Sequence, residues 1–122
     1  MEEEDREYMF RGKHVVSDIT NIPSKFFDNE HELLLKVITD SLKHINATIM
    51  DIKKIVFPNG GVSVVWVLAE SHASIHSYPE INSLFFDSFT CGEIADPEKQ
   101  LIYLLDKIGC QDRTTILYRG EH

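Results

Sequence analysis

Apolar residues recur at two spacings along this chain, and the switches between them mark out its elements. Residues 13–20 carry His14, Val15, Val16 and Ile19 and predict a first strand. Residues 21–28 include Pro23 and read as a connection. From about Asn29 to His44 the apolar positions Leu34, Val37, Ile38, Leu42 and Ile45 fall at helical spacing, and Asp28 or Asn29 can cap the helix. Residues 48–57, with Ile49, Ile52, Ile55 and Val56, predict a second strand. Pro58-Asn59-Gly60-Gly61 is the strongest turn signal present. The run 62–69 after it is almost wholly apolar and β-branched, so 52–57 and 62–69 are expected to form a hairpin with 62–69 a central, buried strand. Pro79 interrupts any further strand before residues 84–90, where Phe85, Phe86 and Phe89 predict the fourth. Asp96 as N-cap and Pro97 at the first helical position open a second helix. Its stripe is Leu101, Leu104, Leu105 and Ile108, and Gly109 ends it. Residues 114–118 make a last strand.

The expected order is βαβββαβ. It places the chain in the α+β class, as a two-layer sandwich with an antiparallel or mixed sheet and both helices on one face. That leaves the other sheet face for a partner. The apolar third strand needs cover on both faces, which points to a homodimer.

The 122 residues are enough for one domain, 1–122, with 1–12 expected as a flexible lead-in rich in Glu2, Glu3, Glu4, Asp5 and Glu7. A net charge of −8 offers no electrostatic support for binding nucleic acid. No apolar run is long enough to span a membrane, and the acidic start lacks the apolar core of a secretory signal. Two cysteines, Cys91 and Cys110, make no disulfide framework, so the reducing cytoplasm is the expected compartment. Cys110 reads as a small packing residue rather than a reactive thiol.

The chemistry-bearing residues concentrate in 69–80, Ala-Glu-Ser-His-Ala-Ser-Ile-His-Ser-Tyr-Pro-Glu, directly after the apolar run. Taken alone, Ser71 reads as a surface or capping hydroxyl, Ser63 as a small polar residue after a turn, His76 as an ordinary satisfied histidine and Phe57 as a core residue at a strand end. His72 and His76 are four apart, a metal-ligand spacing on a helix. Ser74-Ile75 and Pro79 argue against a helix there, and no further ligand set completes a site, so no metal is expected.

The whole pattern changes those readings. Glu70-Ser71-His72-x-Ser74-Ile75-His76-x-aromatic-Pro79-Glu80, then Asp87-x-Phe89-Thr90-Cys91-Gly92, resembles the prokaryotic S-adenosylmethionine decarboxylase proenzymes. Pro58-x-Gly60-Gly61-Val62-Ser63 and the opening Gly12-Lys13-His14-Val15-Val16 extend the resemblance from Gly12 to about Lys107. The resemblance implies that the Ser71 hydroxyl attacks the Glu70 carbonyl and that the chain cuts itself between Glu70 and Ser71. Residue 71 is left as a pyruvoyl group that forms a Schiff base with a substrate amine and acts as electron sink, with no metal. It implies proton transfers by Ser63 and His76 during processing and protonation of the substrate by Cys91, whose thiol pKa suits that task. It implies an adenine held between Phe57 and Tyr78, and ribose hydroxyls held by Glu80.

Three departures bear on the substrate or on the start of the chain. Tyr78 stands where tryptophan is common, residues 81–86 (Ile-Asn-Ser-Leu-Phe-Phe) replace a smaller stretch, and the acidic lead-in is extra. Bulky Leu84, Phe85 and Phe86 are expected to narrow the space for a nucleoside. Two alternatives stay open: the same chemistry on ornithine or arginine, or a non-processing homologue acting as a regulatory partner.

Overall fold

A computed structural model describes residues 10–69, 71–91 and 93–121. Six strands form one sheet: β1 (Arg11–Thr20), β2 (Ile49–Val56), β3 (Val62–Leu68), β4 (Ser71–Tyr78), β5 (Ser83–Thr90) and β6 (Gln111–Gly120). Their order across the sheet is β2-β3-β4-β5-β1-β6, and every neighbouring pair is antiparallel. Helices α1 (Asp28–His44) and α2 (Pro97–Ile108) complete the α+β sandwich.

The observed order, βαββββαβ, has one strand more than the spacing predicts. The extra strand is β4, the chemistry-bearing segment itself. Its small and polar residues give no apolar alternation strong enough to announce a strand, yet it lies between β3 and β5 and is hydrogen-bonded to both. Pro79 ends β4 in a short 3₁₀ turn, Pro79–Ile81, rather than excluding it. The sheet is wholly antiparallel, not mixed: hairpins join β2 through β5 in turn, and each helix links two strands that run the same way, β1 with β2 and β5 with β6, but that are not neighbours in the sheet.

β1 already begins at Arg11, inside the stretch expected as lead-in, because Arg11 and Gly12 pair with Gly120 and Arg119 of a β6 longer than expected. Residues 1–9 lie outside the described residues. The start of α1 also differs. Asn29, Glu30 and His31 take left-handed backbone angles (φ of 52°, 53° and 68°), and neither Asp28 nor Asn29 supplies a side-chain cap. Each such residue costs on the order of 1–2 kcal/mol. Burial of His31 offsets part of it: the ring packs edge-on against Phe27 at 5.0 Å and bonds the Ser77 hydroxyl at 2.7 Å. α2 follows expectation closely, since the Asp96 carboxylate accepts from the Glu98 amide at 2.9 Å and Gly109 closes the helix at φ 71°.

Strand alternation divides the sheet. Val15, Val64, Trp66, Ala73, Ile75 and Phe86 face the helices and join Leu34, Ile38 and Leu42 of α1 and Leu101, Leu104 and Ile108 of α2 in one apolar core. Trp66 is fully buried, and its indole N–H donates to the Thr39 hydroxyl at 3.0 Å. Lys13 bonds both Asp96 (3.0 Å) and Glu98 (2.8 Å), fastening β1 to the start of α2. Among the described residues no helix lies over the opposite sheet face, and Val67, Phe85 and Leu117 stand exposed there.

Candidate active site

The hairpin of β3 and β4 carries most of the candidate residues. Its register pairs Ser63 with His76 at one end and Leu68 with Ser71 at the other. At the first end, the Ser63 hydroxyl and His76 Nδ1 are 2.8 Å apart on the open face. The turn before β3 sets this position: Gly60 (φ 90°) donates to the Phe57 carbonyl, and the Phe57 amide donates to Gly61 at 2.8 Å. A Cβ on Gly61 would sit 2.9 Å from the Ser77 carbonyl oxygen, so β4 packs directly on this turn. Phe57 is therefore held at the same end, half exposed. Tyr78 lies edge-on to Phe85 at 5.4 Å, and Glu80 is exposed in the 3₁₀ turn that follows. Leu84 and Phe86 are buried on the helix side, so of the three bulky residues expected to narrow this region only Phe85 reaches it.

Ser71 lies at the other end. Its hydroxyl donates to the Ala69 carbonyl at 3.3 Å, across the two-residue connection between β3 and β4. Glu70 lies outside the described residues. The β4–β5 register pairs His72 with Phe89, and one step further sets Ser71 level with Thr90, the residue before Cys91. Cys91 is exposed, whereas Cys110 is half buried and its thiol is pushed up to about 11 by burial and by Asp112. Ser71 and His76 are five residues apart on one extended strand, about 16 Å at the usual rise. Within one chain, Ser71 and the bonded Ser63–His76 pair thus stand at opposite ends of β4.

Between them lies a cluster the sequence did not single out. Asp87 Oδ2 accepts from His14 Nε2 (2.9 Å) and His72 Nε2 (3.1 Å), and Oδ1 accepts from the Ser74 hydroxyl. A carboxylate only accepts, so both imidazoles present Nε2–H to it. Burial pushes the Asp87 carboxyl up, but the bonds from Ser74, His14 and His72 outweigh it and hold it below the ordinary carboxylate range. These ligand-type atoms lie within 4.8 Å of one another, close enough to hold a cation, and each already has a hydrogen-bond partner. His72 thus belongs with His14 and Asp87 rather than with His76. The three come from β1, β4 and β5, so no local spacing signals them. His31 and Ser77 were missed for the same reason: Ser77 Oγ meets His31 and also accepts the Val62 amide at 2.9 Å, bracing the Ser63–His76 end from the core side. Burial, aided by nearby Lys54, lowers the His31 pKa.

Residues 13–119 match the S-adenosylmethionine decarboxylase family. The chain is 33% identical over 100 residues to an S-adenosylmethionine decarboxylase proenzyme 2 of Bacillus cereus, covering 82% of this chain and 80% of that one. It is 37% identical over 95 residues to the S-adenosylmethionine decarboxylase proenzyme of Methanococcus aeolicus (78% and 80%). It is 35% identical over 107 residues to the arginine decarboxylase proenzyme of Aeropyrum pernix (86% and 80%). Its fold matches the crystal structure of the adenosylmethionine decarboxylase from Aquifex aeolicus with a TM-score of 0.81, 23% identity and coverage of 93% and 94%.

Proposed function

This chain belongs to the S-adenosylmethionine decarboxylase family, and on that premise we propose that it cuts its own backbone between Glu70 and Ser71 and decarboxylates S-adenosylmethionine for spermidine biosynthesis. The observation that carries the reading is the position of Ser71, first in its strand, with its hydroxyl turned to the backbone of the connection that would break. Ser71 Oγ attacks the Glu70 carbonyl carbon, the C–N bond breaks, and the hydroxyl proton ends on the freed nitrogen. The resulting ester loses the α-proton of residue 71 and expels residues 1–70 as a carboxylate. Water then releases ammonia and leaves a pyruvoyl group at position 71. That carbonyl supplies the electron sink for loss of carbon dioxide from an amino acid substrate. Cys91, exposed beside the end of β4, is the proton donor to the substrate α-carbon. The hydrogen-bonded Ser63–His76 pair moves protons during processing. Phe57 and Tyr78 stack on the adenine and attract the sulfonium, and Glu80 accepts from the ribose hydroxyls.

These roles need both groups of residues together, and one chain holds them about 16 Å apart. Two copies stacked by their open faces about a two-fold axis, with strands running oppositely, bring the Ser71 end of each β4 alongside the Ser63–His76 end of the partner's. The same stacking covers Val67, Phe85 and Leu117. The working unit is a homodimer of processed chains in the cytoplasm.

Decarboxylation of arginine is the competing reading, favoured by the Aeropyrum pernix relative and by Phe85 beside Tyr78. Intact mass of the purified protein should show two chains, 1–70 and 71–122, and Ser71→Ala a single uncut chain without activity. A wild-type chain that stays whole sinks the reading. Release of labelled carbon dioxide from S-adenosylmethionine, arginine and ornithine in parallel chooses the substrate.

A further inference from the structure

Cleavage ahead of residue 71 converts the start of β4 from the second half of a hairpin into a free chain end. Chain ends fray unless something ties them down. The covalent tie through residues 69 and 70 is the one that is lost, and residue 71 is the residue whose position matters most. We infer that Asp87 is a positioning residue that clamps this new end through His72 and Ser74; the inference rests on the self-processing proposed above.

The geometry carries it. Two of the first four residues of β4 place side chains on one carboxylate of β5: His72 Nε2 at 3.1 Å from Oδ2, and the Ser74 hydroxyl on Oδ1. The carboxylate is anchored from its far side by His14 of β1, 2.9 Å away. Phe89 closes the arrangement, with its ring stacked on His72 (6.2 Å, 29°) and edge-on to His14 (5.5 Å, 73°). The carboxylate stays ionised through the neutral range, so each bond is charge-assisted. Adjacent strand residues point to opposite faces, so the His72 side chain lies across the sheet from that of Ser71. It acts through the backbone: the His72 amide nitrogen carries the carbonyl end.

The test compares Asp87→Ala and His72→Gln in the self-processing protein and in the uncut Ser71→Ala background. Intact mass is read first, then amide exchange of residues 72–75, then kcat and KM for S-adenosylmethionine. Asp87→Ala should be cut to the wild-type extent. Its exchange at 72–75 should then rise about ten- to a hundredfold, the size expected for a lost charge-assisted bond. Its kcat should fall about tenfold, with KM within about twofold. In the uncut background the same substitution should change exchange at 72–75 less than about threefold, because the hairpin still holds the strand. His72→Gln keeps an N–H donor and should restore most of the protection and kcat. His72→Ala removes one donor and serves the same comparison if Asp87→Ala does not fold.

Equal loosening in cut and uncut chains would overturn the clamp, as would loss of cleavage in Asp87→Ala. So would a His72→Gln enzyme as impaired as Asp87→Ala. An uncut wild type, visible at the first measurement, removes the processing premise and the clamp with it.

Discussion

At Gly12 an added Cβ would clash with the tip of the Phe89 ring. That ring braces both His14 and His72, so Gly12→Ala should displace it and cost about 1–3 kcal/mol, measured by urea unfolding. The glycine of the opening Gly-Lys-His motif thus serves the Asp87 cluster, while the lysine ties β1 to α2. His31 sets a pH dependence. Its folded pKa is lowered from 6.5, so the unfolded chain takes up a proton first as pH falls. Its stabilising contribution is full above pH 6.5 and is lost as the pH drops from there toward the depressed value. Unfolding free energies at pH 7.5, 6.5 and 5.5 should decline more steeply for the wild type than for His31→Gln. Ser63 and His76 were legible as individual residues from the motif, and the structure bonds them to each other. Asp87 stood in the same motif without a role, since its partners lie 73, 15 and 13 positions away and only the sheet gathers them.

At the scale of elements, α2 was readable to the residue because its signals are local. Asp96 caps, Pro97 starts and Gly109 stops, each acting within a few residues of the helix end. Asp96→Ala should cost about 1 kcal/mol for the lost cap, with a further loss as Lys13 keeps only Glu98. A fall of several degrees in the thermal midpoint checks it. β4 and the start of α1 were not readable, for one shared reason. The polar side chains of β4 are satisfied by Ser63 and Asp87 on its flanking strands, and the left-handed Asn29-Glu30-His31 turn is held by Ser77, 46 positions from His31. Non-local partners override what local propensity favours.

At the scale of the molecule, the open sheet face and the two separated groups make one prediction. Ser71→Ala and His76→Ala are each expected to be inactive. Produced together in one cell, half of the dimers proposed above would pair one chain of each kind, and each such dimer would hold one site with both Ser71 and His76 intact. Activity should return to about a quarter of wild type, as random pairing of a two-fold assembly requires. No recovery would place both residues in one protomer's site and contradict the roughly 16 Å separation along β4.

The number of helices, the β2–β3 hairpin, the α+β class and the residue types of the site all follow from periodicity, turn chemistry and motif, which act over a few positions. The extra strand β4, the Asp87 cluster and the separation of the candidate residues into two ends do not. They arise where strands distant in sequence are laid side by side, and which residues meet there depends on sheet register, a property no short stretch of the chain contains.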